Sequence, residues 1–195
     1  MKLTQAKKSR LALSSYIEQG AVVPAPRNEK SFKCALQSTK SATIILLFGT
    51  INSLPDLLKR ASDHHKKLFV HFDLLDGIGK DKEGLKLLKT IGVQGIITTK
   101  PTIVRYALDE EIDVIQRLFL VDSESIKTGI QFLKKHKPLA LEILPASIPR
   151  HAIEQLKSEI RVPILGGGLV CTPEDVQAGL EKGLYALSTS EESLW

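Results

Sequence analysis

Cysteine, tryptophan and methionine are scarce in this chain of 195 residues, which holds two, one and one of them. Cys34 and Cys171 stand far apart, with no paired-cysteine motif and no metal-ligand spacing, so a disulfide scaffold and an ordinary zinc module are excluded. Two separate thiols fit a reducing compartment. Aromatic residues make up only 5% and do not interleave with the basic clusters, so no stacking platform for single strands is visible. Long apolar runs are also missing. The longest, residues 44–48, is strand-sized and far short of the ~18–20 residues that cross a bilayer. The start, Met1-Lys2-Leu3-Thr4, has no apolar stretch of the kind a secretory signal needs. The expectation is a cytoplasmic protein with no membrane contact, no metal and no cofactor. No nucleophile–base pair can be read from spacing either, so no catalytic residue is assigned.

What is present is a steady alternation. The apolar content, 43%, suffices for one buried core. Strand-like runs occur at 21–24, 43–48, 68–73, 95–99, 113–121, 139–144, 162–165 and 184–188. Most are continuously apolar, as strands covered on both faces should be. The segments between them read as helices, clearest over 54–65, 84–90, 123–136 and 172–182. The last of these opens on Thr172 and Pro173, carries Glu174 and Asp175 in its first turn, and ends at Gly183. Such alternation implies parallel strands. A closed barrel and an open doubly wound sheet both fit. About eight strands in so short a chain favour the barrel, and the first turns lack the spaced glycines of a dinucleotide fold. The prediction is an α/β fold, a TIM-like (β/α) barrel of about eight parallel strands in one domain over 1–195. It is short for that class, which typically takes ~250 residues. Residues 1–20 are expected to form a helix closing the barrel, and a full final helix is expected to be absent.

Gly166-Gly167-Gly168 follows a strand, and three glycines there let backbone N–H groups approach a ligand. Ser188-Thr189-Ser190 follows the last strand and can cap a short helix whose N–H groups favour an anion. Barrels of this class bind phosphate after their last two strands, and the two motifs fall in those two places. At other strand ends stand His71, Asp73, Lys100, Arg117 and Glu142. Charges within apolar runs are costly unless paired or used. Two readings stay open for them: an ion-pair network in the barrel mouth, or contacts to ligand hydroxyls. His71 fits a core histidine as well as a ligand contact.

The net charge is +5, and it is uneven. Residues 1–40 hold eight basic residues against Glu18 and Glu29, while the rest of the chain has one acid in excess. Lys59 with Lys66, and Arg60 with Lys67, are spaced to share a helix face. Lys134, Lys135, His136 and Lys137 form another cluster. A polyanion partner is compatible with this pattern, as is a solvated surface.

Several blocks resemble the glycerol-uptake operon antiterminator regulators. They are His71-Phe72-Asp73-Leu74-Leu75-Asp76-Gly77-Ile78-Gly79, Gly95-Ile96-Ile97-Thr98-Thr99-Lys100, Ile115 to Ser123, Leu141-Glu142-Ile143-Leu144-Pro145, Gly166-Gly167-Gly168-Leu169, and Leu187-Ser188-Thr189-Ser190 with the final Leu194-Trp195. The resemblance runs from about Ala21 to the end, with departures such as Lys100 where arginine is common. It implies a regulator that binds glycerol 3-phosphate and then a messenger RNA leader, so that transcription passes a terminator. On that reading Gly166, Gly167, Gly168, Ser188 and Thr189 hold the phosphate, and Asp73 and Glu142, with His71, Lys100 and Arg117 around them, meet the glycerol hydroxyls. The loop 74–80 is then a candidate mobile lid, and Lys7, Lys8, Lys59, Arg60, Lys66 and Lys67 are candidate RNA contacts. A homo-oligomer is compatible with it. The alternative is a small barrel enzyme acting on a phosphorylated metabolite.

Overall fold

The computed structural model describes residues 12–38 and 41–195. Eight parallel strands are present: β1 (Val22–Pro24), β2 (Thr43–Leu46), β3 (Lys67–His71), β4 (Gly95–Thr98), β5 (Asp113–Phe119), β6 (Ala140–Leu144), β7 (Ile164–Gly167) and β8 (Ala186–Thr189). They run in the order β1-β8-β7-β6-β5-β4-β3-β2. The ends of that sheet meet through one bond, in which the Leu47 N–H donates to the Pro26 carbonyl at 3.1 Å. The result is a nearly closed barrel, as the alternation predicted. β8 is followed by a single 3-10 turn, Glu192–Leu194, rather than an eighth helix.

Among the described residues seven α-helices cover the outside: α1 (Glu29–Gln37), α2 (Leu54–Asp63), α3 (Lys82–Ile91), α4 (Pro101–Asp109), α5 (Ser123–Lys135), α6 (Arg150–Glu159) and α7 (Pro173–Glu181). Their starts are written locally. Asn28, Asp122 and Thr172 each accept the backbone N–H three residues on, in a reciprocal capping box. Asp81 accepts the Gly84 N–H. α1, α4 and α6 have no counterpart among the clearest helical stretches of the sequence. They are short, and they hold their places by burying one face each, such as Phe32, Ala35 and Leu36 of α1.

Side chains alternate along each strand. Ile44, Val70, Ile96 and Val114 point outward onto α1 to α4, and Leu141, Ile143, Ile164 and Leu187 point outward onto α5 to α7. Val23, Ile45, Phe69, Ile97, Ile115 and Leu165 fill the barrel interior. The floor, at the strand N-termini, is plugged by Leu13, Tyr16 and Ile17. Barrel groups clamp this segment. Thr43 Oγ1 donates to the Tyr16 carbonyl (2.6 Å) and Lys67 Nζ to the Ser15 carbonyl (2.7 Å), and the Tyr16 hydroxyl donates to Asp113 (2.5 Å). Burial and the adjoining Asp113 carboxylate hold the Tyr16 phenol far above its ordinary range. Of the helix expected over 1–20, residues 1–11 lie outside the described residues, and 12–20 contain one 3-10 turn, Leu13–Ser15. Leu13, from that turn, and Tyr16 and Ile17, just after it, fill the floor.

A candidate ligand cleft at the barrel mouth

The uppermost interior layer is polar. Arg117 of β5 and Glu142 of β6 are register partners, and Arg117 Nε donates to Glu142 Oε2. Ser188 Oγ of β8 donates to the other carboxylate oxygen at 2.5 Å. Glu142 is 0% exposed and Arg117 8% exposed, so this is a charge pair removed from water and completed by a third group. Gly167 of β7 lies against it. A Cβ there would stand 2.7 Å from Ser188 Oγ and 3.1 Å from Glu142 Oε1, so only glycine leaves room for the network. His71 of β3 is also buried, and its Nδ1 has no partner among the described residues. Burial, together with the nearby Arg117 guanidinium, lowers its pKa to about 4, so the ring is neutral.

Above this layer opens a cleft of about 280 Å³ at the strand C-termini, between β1, β7 and β8. Its polar lining includes Arg27, Arg117, Gly168, Ser188, Thr189 and Ser190, and Leu47, Leu144 and Leu169 add an apolar side. Arg27 Nε donates to Ser190 Oγ at 3.0 Å. Gly168 turns the chain with φ +68°, a region that suits glycine, and Leu169 follows at φ +58° with its side chain on the surface.

The predicted residues divide clearly. Gly168, Ser188, Thr189 and Arg117 line the cleft, with Glu142 and Gly167 directly beneath. Gly166 faces the helix layer, where a Cβ would strike Leu184, Leu187 and Ala146. The Thr189 hydroxyl is engaged, donating to the Val170 carbonyl (2.6 Å) and accepting the Glu191 N–H (3.0 Å). Asp73 lies away from the cleft lining, in the 3-10 turn after β3. It accepts from Thr98 Oγ1 (2.8 Å), the Thr99 N–H (2.7 Å) and Thr99 Oγ1 (2.9 Å). Burial pushes its pKa up, but these three donors outweigh it and the net shift is downward. Lys100 is exposed at the start of α4 and also outside the lining. Arg27 was not singled out in the sequence. Its only signal there was a cation just past the first strand-like run.

The loop 74–80 is fastened rather than loose. Lys80 Nζ donates to the carbonyls of Phe72 (2.6 Å) and Leu75, Leu75 is buried, and Asp76 bridges to Thr50. The expected basic stripe does not form either. α2 ends at Asp63, so Lys66 and Lys67 leave the helix face. Lys59 pairs with Asp63 (2.9 Å), and Arg60 pairs with Glu29 (2.7 Å) over the Phe32 ring. Lys66 donates to the Ser38 and Ser41 carbonyls, and Lys67 serves the floor plug. Lys7 and Lys8 lie outside the described residues. Among the described residues there is no cluster of three or more metal-ligating side chains, and no helix long and apolar enough to cross a membrane.

The fold and the site define a small (β/α) barrel with a cleft at the C-terminal ends of its strands lined by two arginines, three hydroxyl residues and Glu191. The family model for glycerol-3-phosphate responsive antiterminators matches residues 22–195, and the chain belongs to that family. It is 31% identical over 186 residues to the protein YgcP of Escherichia coli K12, covering 95% of this chain and 96% of that one. Among solved structures it is similar to a glycerol uptake operon antiterminator regulatory protein from Listeria monocytogenes. That match has 28% identity and a TM-score of 0.83, and covers 100% of this chain and 98% of the other. A glycerol uptake operon antiterminator-related protein from Thermotoga maritima matches at 26% identity and a TM-score of 0.79, over 92% and 98%. An N-acetylmannosamine-6-phosphate 2-epimerase from Clostridium perfringens, at 10% identity and a TM-score of 0.67, shares the fold alone.

Proposed function

We propose that the chain binds glycerol 3-phosphate in the mouth cleft and, so loaded, binds a messenger RNA leader and lets transcription pass a terminator. Family membership supports this reading. The observation that carries it is the nearly buried Arg117 guanidinium in the cleft, with Nε committed to Glu142. A guanidinium has five N–H donors, so Arg117 keeps others for an oxyanion or a hydroxyl. Arg27 and Ser190, with the Gly168 turn, would hold the phosphate, and Arg117 with Ser188 would meet the glycerol end. Asp73, whose oxygens already take three bonds, drops out of the direct contacts.

The ligand acts by differential affinity. It must bind the RNA-competent state better than the incompetent one, and the population shifts by that difference. The enzyme alternative has remote fold neighbours in its favour and no assigned catalytic group.

Titration calorimetry with glycerol 3-phosphate, and with glycerol and inorganic phosphate as controls, tests the ligand. Binding of the whole compound and weak binding of either fragment is expected. Arg27→Ala removes a charge-assisted contact worth ~1.5–3 kcal/mol, so affinity should fall at least about tenfold. Unchanged affinity in that variant would show that the phosphate sits elsewhere. Turnover of the ligand would favour the enzyme reading.

A further inference from the structure

Near β6 to β8 the two ends of the barrel differ in charge. Around the cleft the helix starts and the C-terminal turn present Asp122, Glu124, Glu174, Asp175, Glu191 and Glu192. Exposed Arg27 and nearly buried Arg117 stand among these acids, with Lys30 on the first turn of α1, so acids outnumber cations along this part of the rim. The floor beneath β6 and β7 is different. There the last turns of α5 and α6 and the loops leaving them expose Lys134, Lys135, Lys137, Lys157 and Arg161, with Glu159 as the acid among them.

Lys134 pairs with Glu159 at 2.5 Å, which places the two helix ends side by side. Lys135 and Arg161 make no ion pair among the described residues. His136 stacks on Phe132, with ring centroids 4.7 Å apart, in the middle of the cluster. Cations at helix C-termini are favoured by the backbone dipole alone. That explains Lys134 and Lys135 but not Lys137 and Arg161, which lie beyond the helices. The eleven residues before Ala12, which lie outside the described residues, hold Lys2, Lys7, Lys8 and Arg10 and no acid.

We infer that the RNA backbone is held at the floor of the barrel, on the α5–β6 and α6–β7 corners, at the end opposite the ligand cleft. This rests on the regulator reading above and adds the surface that reading leaves open. Its consequence is that ligand and RNA never touch. The coupling runs along β5 and β6, whose mouth ends carry Arg117 and Glu142 and whose floor ends adjoin Lys137: the Leu139 N–H donates to the Val114 carbonyl and the Leu141 N–H to the Pro163 carbonyl.

The test is the full chain with the double substitution Lys135→Glu/Arg161→Glu, and Lys30→Glu at the mouth as control. RNA affinity is measured by filter binding with the leader transcript of the source's glycerol-uptake operon, in saturating glycerol 3-phosphate, across a salt series. The double variant should bind at least about tenfold more weakly, with a log–log salt slope reduced by ~1.4 for two lost single-strand phosphate contacts. Its calorimetric affinity for glycerol 3-phosphate should match the wild type, which also shows that it folds. The milder Lys135→Ala/Arg161→Ala should lose less in the same direction. Wild-type RNA affinity in the double variant, or an equal loss in Lys30→Glu, overturns the floor assignment and leaves the regulator reading standing. If the wild-type chain binds no leader with or without ligand, both fail together.

Discussion

The Arg117–Glu142–Ser188 network is the part of the mouth whose energetics can be worked out. Glu142→Leu removes the acceptor of a guanidinium that is only 8% exposed and of a buried hydroxyl. Breaking a buried pair from one side costs ~3–5 kcal/mol, because the remaining charge is stranded in a low-dielectric site. At this chain length each kcal/mol moves the midpoint by ~2–4 °C, so thermal unfolding should begin ~10 °C lower. Arg117→Met strands the carboxylate instead and should cost as much. The double variant Arg117→Met/Glu142→Leu strands neither and should recover most of the loss, since apolar replacement of a whole buried pair is often neutral. Glycerol 3-phosphate binding should not return with it. Differential scanning calorimetry of the four proteins settles the point. A single-variant loss below ~1 kcal/mol, the scale of a surface pair, would mean that the pair is wetter than its burial implies. A double variant no more stable than the worse single would mean that the network is packing rather than charge.

Two further outcomes follow from the same interior. His71, with a pKa lowered to about 4 by burial and by Arg117, binds its proton in the unfolded chain before the folded one. Stability therefore falls as pH drops from ~6.5, the unfolded value, toward 4, and His71→Gln should flatten that slope in a urea titration series; an unchanged slope would assign the acid limb to the carboxylates. At the floor, Tyr16→Phe deletes the 2.5 Å bond to Asp113 and leaves a half-buried carboxylate short of a donor. A loss of ~1–3 kcal/mol is expected, and a variant as stable as wild type would show that the plug is held by Leu13 and Ile17 instead.

All eight strands overlap the expected apolar runs, with β7 shifted two residues onto Gly166 and Gly167, because a strand buried on both faces leaves a continuous apolar signature. In one run the trimming was due to a polar residue that found partners. The run 68–73 stops at His71, since Asp73 turns away to take three donors from Thr98 and Thr99. The capped helix α7 was legible down to its Thr172 and Pro173, whereas α1, α4 and α6 carry a weaker local pattern and rest more on contacts with the barrel. Of the candidate site, Gly168, Arg117, Glu142 and Ser188 were visible as charges, glycines and hydroxyls at strand ends.

The amino-acid order alone thus determined the parallel alternation, the position of a polar layer at the strand ends, and the family. These depend on periodicity and on local chemistry. Closure of the sheet decided the rest. It brought Arg27 to Ser190 across 163 residues of chain, turned Gly166 outward and Gly167 inward, and moved Lys66 and Lys67 off a helix face. It also set Lys134 beside Glu159 at the floor. Which face a residue presents, and which distant strand it meets, is set by the register of a closing barrel, and register is a property of all eight strands together.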